Sequence, residues 1–315
     1  MEQEPAFAWW VNWTLKKRDL IINKIRVRIP KKDMKFGVLV PGSVEEAYKL
    51  DRENGNDFWR KAIDKELKNV IVAFKLLEPD EHLPVGSKEI PYHIVFDVKF
   101  DLTRKARLVA GGHRHKDVPA HTTFSTVASR DSVRIGFLIA ALNDLDIMVC
   151  DIGNAFLNAP NRERVHVKVG KELFGPEHEG KYAVVVRALY GLKSASAAWR
   201  HHFASTITND LGYKSTIADQ EVYLKPKVKP DGTKYYAYLI VYVDDVLSID
   251  FNPKEAIDKI SNVFRIKEGS VQSPDMYLGM DVRKRTIQDH EGNEINCFSL
   301  AANSYVKEAV KIAKR

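Results

Sequence analysis

The sequence predicts an α+β fold in which an antiparallel sheet carries helices on one face. Residues 235–243 form an almost wholly apolar and aromatic run, which favours a buried strand, and a second apolar run begins at Val246. Two such strands joined by a short polar link predict a β-hairpin. Residues 131–143 place apolar side chains around much of a helical turn, which predicts a helix buried beneath the sheet.

The link between the two strands is acidic, with Asp244 and Asp245 at the predicted hairpin tip. Taken alone, the pair is also typical of a solvated turn. Two carboxylates at the ends of apolar strands repel each other and lose hydration, so their pKa values rise or a cation neutralises them. Mg²⁺ is the usual cation for sites that combine one or two carboxylates with substrate phosphates.

A third carboxylate follows another apolar run. Residues 147–150 predict a buried strand that ends at Asp151, and Gly153 and Asn154 then break the pattern. If Asp151 meets Asp244 and Asp245, the three acids complete a two-metal site for in-line displacement at phosphorus.

The other elements follow from capping signals and periodicity. Residues 43–46 have the spacing of a capping box, and residues 91–110 predict two strands around a polar link at 101–104. Apolar residues at helical spacing predict further helices over 57–72, 198–211 and 257–264. A short apolar strand is expected at 277–282.

Five ordered segments resemble the motifs of reverse transcriptases from copia-type LTR retrotransposons. They are 105–110 (KARLVA), 151–158 (DIGNAFLN), 189–193 (LYGLK) with Trp199, 242–245 (YVDD) and 277–280 (YLGM). The last segment stands where the family has Phe-Leu-Gly. The family usually has a proline where this chain has Ala195-Ser196-Ala197, which is a departure in the local loop. The resemblance covers residues 40–310.

The resemblance implies a right-hand polymerase fold with an antiparallel palm sheet, packed helices, β-rich fingers and a truncated thumb. Residues 1–41 are then an N-terminal extension, residues 42–280 the fingers and palm, and residues 281–315 the start of the thumb or connection. An RNase H domain, a protease and an integrase belong to the complete family polyprotein, so we expect a piece of that polyprotein or a decayed copy.

The activity implied by the resemblance is RNA-directed DNA polymerisation, in which dNTPs are added to a primer 3′-hydroxyl on an RNA or DNA template. Two Mg²⁺ ions, or Mn²⁺ as a substitute, are the implied cofactors. Asp151, Asp244 and Asp245 are the expected catalytic residues, and Ile152 joins them as a metal-binding position. A catalytically inactive remnant that at most binds nucleic acid is the alternative, and another two-metal enzyme such as a nuclease is a third hypothesis.

Substrate-contacting positions also follow from the resemblance. The expected dNTP-binding residues are Lys105, Arg107, Phe156, Tyr190, Gly191 and Lys193. The expected primer or template contacts are Tyr242, Val243, Tyr277, Leu278 and Gly279. Phe156 is expected to reject a 2′-hydroxyl, although a core position is the alternative. The basic hairpin is either a finger over the triphosphate or an edge protected by charge, and strand register is expected to choose between Arg107 and Lys105.

Composition agrees with a polyanionic partner. Lys and Arg total 49 against 42 Asp and Glu, a formal net charge of +7, and the pI is about 9.1. No apolar run is long enough to cross a membrane, and the first residues do not resemble a signal peptide. The two cysteines form no metal-ligand pattern or disulfide framework. We therefore expect an intracellular, cytoplasmic protein that is not secreted.

Two segments leave alternatives open. Trp9, Trp10 and Trp13 precede basic residues and either stack on nucleic acid, lie on a membrane surface or pack against the rest of the protein. The loop at 111–130 contains His113, His115 and His121. A metal site is one interpretation, but the flanking glycines and the lack of Cys or acidic partners favour a solvent-exposed loop.

Overall fold

The computed structural model describes residues 34–99, 101–115, 118, 123–288, 290–303, 306, 307 and 310. The chain divides into two compact units. The first comprises residues 1–68 and 94–108, and the second comprises residues 69–93 and 109–315. The tryptophan-rich N-terminal segment lies outside the described residues, so its predicted roles stay predictions.

Seven α-helices and sixteen strands occur in the described part of the chain. The helices are α1 (Val44–Glu53), α2 (Phe58–Val70), α3 (Arg130–Leu142), α4 (Ala155–Asn158), α5 (Lys171–Phe174), α6 (Ala195–Ser205) and α7 (Lys254–Ser261). The strands are β1 (Met34–Lys35), β2 (Val38–Leu39), β3 (Phe74–Leu76), β4 (Lys88–Glu89), β5 (Tyr92–Val98), β6 (Arg104–Ala110), β7 (Asp146–Asp151), β8 (Val165–Lys168), β9 (Tyr182–Val185), β10 (Lys214–Ser215), β11 (Val222–Val228), β12 (Lys234–Tyr242), β13 (Asp245–Asp250), β14 (Met276–Tyr277), β15 (Met280–Gln288) and β16 (Glu294–Ala301).

Helix capping organises the first unit. The Ser43 hydroxyl accepts a hydrogen bond from the Glu46 N–H at 3.2 Å, which confirms the predicted start of α1. Near the end of α1, the buried carboxylate of Asp51 accepts hydrogen bonds from the N–H groups of Trp59 and Arg60 at 3.1 and 2.8 Å. Trp59 packs edge-on against Phe96 in the apolar core of this unit.

A five-stranded antiparallel sheet forms the centre of the second unit. Its strand order is β10-β11-β12-β13-β7, so β12 and β13 are the predicted hairpin and β7 is the predicted strand that ends at Asp151. The pairing of β13 with β7 places Asp245 opposite Asp151. Strands β7 and β13 pair although nearly 100 residues separate them along the chain. The periodicity of the sequence does not specify which strands become neighbours.

Helix α3 packs on one face of this sheet through Val133, Phe137 and Ala140. Its opposite side exposes Ile135, Leu138 and Leu142, which are 55%, 57% and 71% accessible. The prediction of a helix is confirmed, but the prediction of burial beneath the sheet is wrong for that second apolar stripe. A helix that rests on a sheet buries only the side that faces the strands.

Two smaller sheets complete the second unit. Strands β3-β9-β8-β4 form one, with a parallel β4–β8 pair, and β14-β15-β16 form an antiparallel second. The expected short strand at 277–282 is a hairpin instead. Leu278 and Gly279 form its turn with φ values of 47° and 78°, which separates β14 from β15. Adjacent positive φ angles suit a tight turn between twisted antiparallel strands.

The fold is a mixture of helices and mainly antiparallel sheets, as predicted. The division into fingers, palm and thumb stays a prediction. None of the helices in the described part of the chain has the length and apolar character required to span a membrane.

Candidate active site

The hairpin between β12 and β13 turns at Val243 and Asp244. Tyr242 pairs with Asp245 across it, so Asp245 is the first residue of β13 rather than part of the tip. Val243 has a φ of 59°, an unusual value for a β-branched residue. Its carbonyl accepts a 2.7 Å hydrogen bond from the indole Nε1–H of Trp199 on α6. This contact fixes the turn that carries Asp244.

An aromatic cluster holds Trp199 in place. The Trp199 ring stacks on Phe203 at 5.0 Å between centroids and meets the edge of Phe264 at 5.3 Å. All three side chains are at most 2% exposed. The buried rings leave the Trp199 indole little freedom, so its N–H is a rigid support for the turn.

Asp151 lies directly across from Asp245 in the β7–β13 ladder. The Ile152 N–H donates to the Asp244 carbonyl at 2.8 Å, which ties the end of β7 to the turn. Because paired residues in a sheet direct their side chains to the same face, the Asp151 and Asp245 carboxylates share one face. Asp244 adjoins them at the tip. The three acids thus lie together at one end of two paired strands.

Burial and neighbouring negative charge both disfavour ionisation of Asp245. Burial first, and then the charges of Asp244 and Asp151, raise the pKa of Asp245 to about 6. Burial and the charges of Asp151 and Asp245 also raise the pKa of the Cys150 thiol to about 12. This cysteine is therefore an inert thiol, whereas the carboxylates form a site that attracts positive charge.

Lys267 supplies that charge in this structure. Its Nζ lies 2.5 Å from Oδ2 of Asp151, and its backbone N–H donates to the Asp151 carbonyl at 2.9 Å. The Asp151 N–H donates to the Ser270 hydroxyl at 3.1 Å. The hydrogen bond to Asp151 raises the pKa of Lys267. Sequence reasoning missed Lys267, because a lysine in a polar loop carries no signal of the strand edge it will meet.

The three carboxylates have the ligand chemistry that suits a divalent ion. Within the described residues, no three His, Cys, Asp or Glu side chains are arranged so that they could hold a metal ion, and Lys267 engages the Asp151 carboxylate instead. Three neighbouring carboxylates nevertheless offer the hard oxygen ligands that Mg²⁺ prefers. Ile152, the fourth predicted metal-binding position, has a buried side chain and is tied to the turn by its backbone N–H.

Two predicted nucleotide-binding residues are in contact. The Phe156 ring on α4 meets the Tyr190 ring at 4.8 Å between centroids and an interplanar angle of 60°. Tyr190 is 37% exposed and Phe156 is half-buried. An accessible aromatic pair formed from distant parts of the chain can present ring surface to a sugar or a base.

The family model described as reverse transcriptase (RNA-dependent DNA polymerase) matches residues 77–311. The chain belongs to the reverse transcriptase family.

Curated proteins that resemble this chain include polyproteins of plant transposons. It is similar to the Retrovirus-related Pol polyprotein from transposon TNT 1-94 of Nicotiana tabacum, with 31% identity over 242 residues that cover 72% of this chain and 17% of the polyprotein. The Pol polyproteins from transposons RE2 and RE1 of Arabidopsis thaliana are each 26% identical to it. These two matches cover 73% and 72% of this chain, and 16% and 15% of the respective polyproteins. The copia-type resemblance is therefore confirmed, and the chain spans less than a fifth of these relatives.

Gly191 allows its backbone to pack closely against that of Ala110. It has a φ of 91°, and a Cβ at this position would lie 2.1 Å from the Ala110 carbonyl oxygen. The Ala110 N–H donates to the Tyr190 carbonyl at 2.7 Å. The expected nucleotide contact of Gly191 stays a prediction, and no side chain other than hydrogen fits there. The neighbouring Lys193 is exposed.

The loop that holds Tyr190 is also fixed by a buried glutamate. The Glu163 carboxylate accepts hydrogen bonds from the Ser194 N–H and hydroxyl at 2.8 and 2.9 Å, and His115 Nδ1 lies 2.8 Å from it. The interpretation of His115 as part of a solvent-exposed loop is therefore wrong, because its side chain is only 10% exposed. His121 lies outside the described residues. Sequence spacing gave no signal of this contact.

The basic strand β6 belongs mostly to the first unit. Ala106 and Leu108 are buried, whereas Lys105 and Arg107 lie together on the other, half-exposed face. The expectation that register would choose between them is wrong, because residues two apart on a strand share a face. Burial raises the pKa of nearby Glu66, and the positive charges of Arg107 and Lys105 partly offset that rise.

The five predicted primer-contacting residues lie in two hairpins of the second unit. Tyr242 is 36% exposed beside the acidic turn that contains Val243. In the β14–β15 hairpin, Leu278 and Gly279 form the turn while the Tyr277 ring is buried. Their contacts with nucleic acid stay predictions.

Proposed function

We propose that this chain is the polymerase part of a copia-type retrotransposon Pol polyprotein and performs RNA-directed DNA synthesis. The observation that supports this most directly is the ladder position of Asp151 opposite Asp245, with Asp244 in the adjoining turn. Family membership supplies the reaction class. In this proposal residues 42–280 are the fingers and palm, and residues 281–315 begin the thumb or connection.

Asp151, Asp244 and Asp245 hold the divalent ions in this proposal, with Ile152 as a further binding position. When bound, Mg²⁺ ions would supply a lower pKa for the primer 3′-hydroxyl and positive charge to offset that of the triphosphate and the departing pyrophosphate. Lys267 would compete with such an ion for the Asp151 carboxylate, because two positive charges held at one carboxylate repel each other.

The remaining residues bind and orient the substrates. Phe156 excludes a 2′-hydroxyl while Tyr190 supports the nucleotide from the side. Lys105, Arg107 and Lys193 stabilise negative charge on the phosphates. Primer and template contacts are assigned to Tyr242, Val243, Tyr277, Leu278 and Gly279. Base identity comes from pairing with the template strand, so the protein needs few contacts with base edges.

Primer extension on an RNA template with Mg²⁺ and dNTPs tests the proposal. Asp244→Asn should lose nearly all extension while template-primer binding persists, because the amide cannot supply the negative charge. Asp146→Asn is the matched control, since Asp146 lies at the opposite end of β7. Extension by Asp244→Asn at the rate of the unmodified chain would rule out the mechanism.

The alternative is a catalytically inactive remnant that at most binds nucleic acid. It predicts no extension by the unmodified chain on any template, with duplex binding retained or also lost. Comparison of RNA and DNA templates in the same assay separates this alternative from a polymerase restricted to one template type.

A further inference from the structure

Tyr277 carries a buried hydroxyl without a partner. Its side chain is 4% exposed, and no described residue forms a hydrogen bond with its phenolic oxygen. Buried tyrosine hydroxyls usually find a partner, because an unsatisfied polar atom destabilises the fold. An exception of this kind calls for a functional explanation.

Tyr277 packs on the face of the central sheet from which two of the acids project. It belongs to the same core cluster as Val149 and Leu247. Side chains alternate along a strand, so Val149 shares its face with Asp151, and Leu247 shares its face with Asp245. The charge of Asp245 also raises the pKa of Tyr277, after the larger effect of burial. The orphan hydroxyl therefore lies beneath the acidic cluster.

Asp245 offers the complementary acceptor. Whereas Asp151 is paired with Lys267, the Asp245 carboxylate receives no hydrogen bond from the described residues and interacts with its neighbours only through their charges. An unmatched donor and an unmatched acceptor thus face the same side of the sheet. A phenylalanine would fill the space of the Tyr277 ring but would lack the donor.

We propose that Tyr277 is a positioning residue whose hydroxyl donates a hydrogen bond to the Asp245 carboxylate, directly or through one water molecule, once a divalent ion is bound, and so orients that carboxylate toward the ion. Groups that orient a metal ligand in this way strongly influence metal affinity. The proposal rests on the proposed function, because it takes Asp245 to be a metal ligand. Tyr277 acts through Asp245 and not on the reacting atoms.

The test is a Mn²⁺ titration of the full chain with template-primer bound, in which electron paramagnetic resonance distinguishes free from bound Mn²⁺. Tyr277→Phe should weaken Mn²⁺ binding about tenfold. Tyr223→Phe is the matched control, because Tyr223 is equally buried but lies on β11, away from the acids. It should bind Mn²⁺ as the unmodified chain does.

Melting in EDTA separates positioning from packing. Tyr277→Phe should melt at or above the temperature of the unmodified chain, because it removes an unpartnered buried hydroxyl. Unchanged Mn²⁺ affinity, or weaker binding accompanied by a clearly lowered melting temperature, would overturn the positioning role and leave the proposed function intact. Failure of the unmodified chain to bind Mn²⁺ more tightly than Asp244→Asn would overturn both.

Discussion

The indole N–H of Trp199 donates a 2.7 Å hydrogen bond to the carbonyl of Val243, the residue with positive φ in the acidic turn. Trp199 belongs to the Leu-Tyr-Gly-Leu-Lys…Trp block, and Val243 belongs to the Tyr-Val-Asp-Asp block. One contact therefore joins two sequence motifs. It explains why a buried tryptophan, rather than another large apolar residue, suits this position.

Trp199→Phe should destabilise both the turn and the reaction. The phenylalanine ring keeps most of the apolar contact but leaves the Val243 carbonyl without its donor, which costs about 1–3 kcal/mol of unfolding free energy. Displacement of Asp244 should lower the extension rate by roughly tenfold or more. Denaturant unfolding and primer extension measure the two effects.

Trp59→Phe is the control for that substitution, because Trp59 is a buried tryptophan in the first unit. It tests the effect of losing an indole N–H in a unit that does not contain the turn. Equal losses of extension in both variants would show that the Trp199 hydrogen bond has no special role.

Lys267→Gln should strengthen metal binding. Lys267 competes with a divalent ion for the Asp151 carboxylate, and the pair is partly exposed, with 56% of the lysine and 26% of the aspartate side chain accessible. An ion pair with this exposure has a small interaction free energy, so its removal should have a small effect on metal binding. The half-saturating Mn²⁺ concentration should fall by about two- to fivefold. Lys284→Gln, which removes the Lys284–Asp146 pair at the other end of β7, should leave it unchanged. A higher half-saturating concentration in Lys267→Gln contradicts the competition.

Phe156→Ala should relax sugar selection. The variant removes the ring that contacts Tyr190 and opens space beside the expected ribose position. The preference for dNTPs over rNTPs, measured as the ratio of kcat/KM values, should fall about tenfold or more. Phe174→Ala removes an aromatic ring from α5 and serves as the control. An unchanged ratio in Phe156→Ala would leave the ring with a packing role only.

Asp245 should make the metal-free protein less stable as the pH rises. Its pKa is raised from 3.8 to about 6, so the folded state retains a proton that the unfolded chain releases at lower pH. This contribution is complete below pH 3.8 and is lost as the pH rises through about 6. In EDTA, the melting temperature of Asp245→Asn should decline less over this range than that of the unmodified chain. Parallel curves for the two proteins would contradict the raised pKa.

The sequence predicted some of the elements and residues at the site but not others. The strand that ends at Asp151 and the hairpin that carries Asp244 follow from apolar runs, so their existence was predictable. Lys267 and Glu163 were not, because their roles depend on partners 116 and 31 residues away in the chain. The exposed stripe of α3 was also missed, since periodicity gives the apolar positions but not which of them the sheet covers.

The sequence alone determined the secondary-structure types around the site, the identity of the acids and the family resemblance, because these depend on local periodicity and motif order. Only the tertiary structure decided that Asp245 stands opposite Asp151, that Lys267 neutralises Asp151 and that Trp199 supports the turn. Strand partners and ion pairs between distant segments are chosen by the burial and packing of the whole unit. No local window of sequence carries that information.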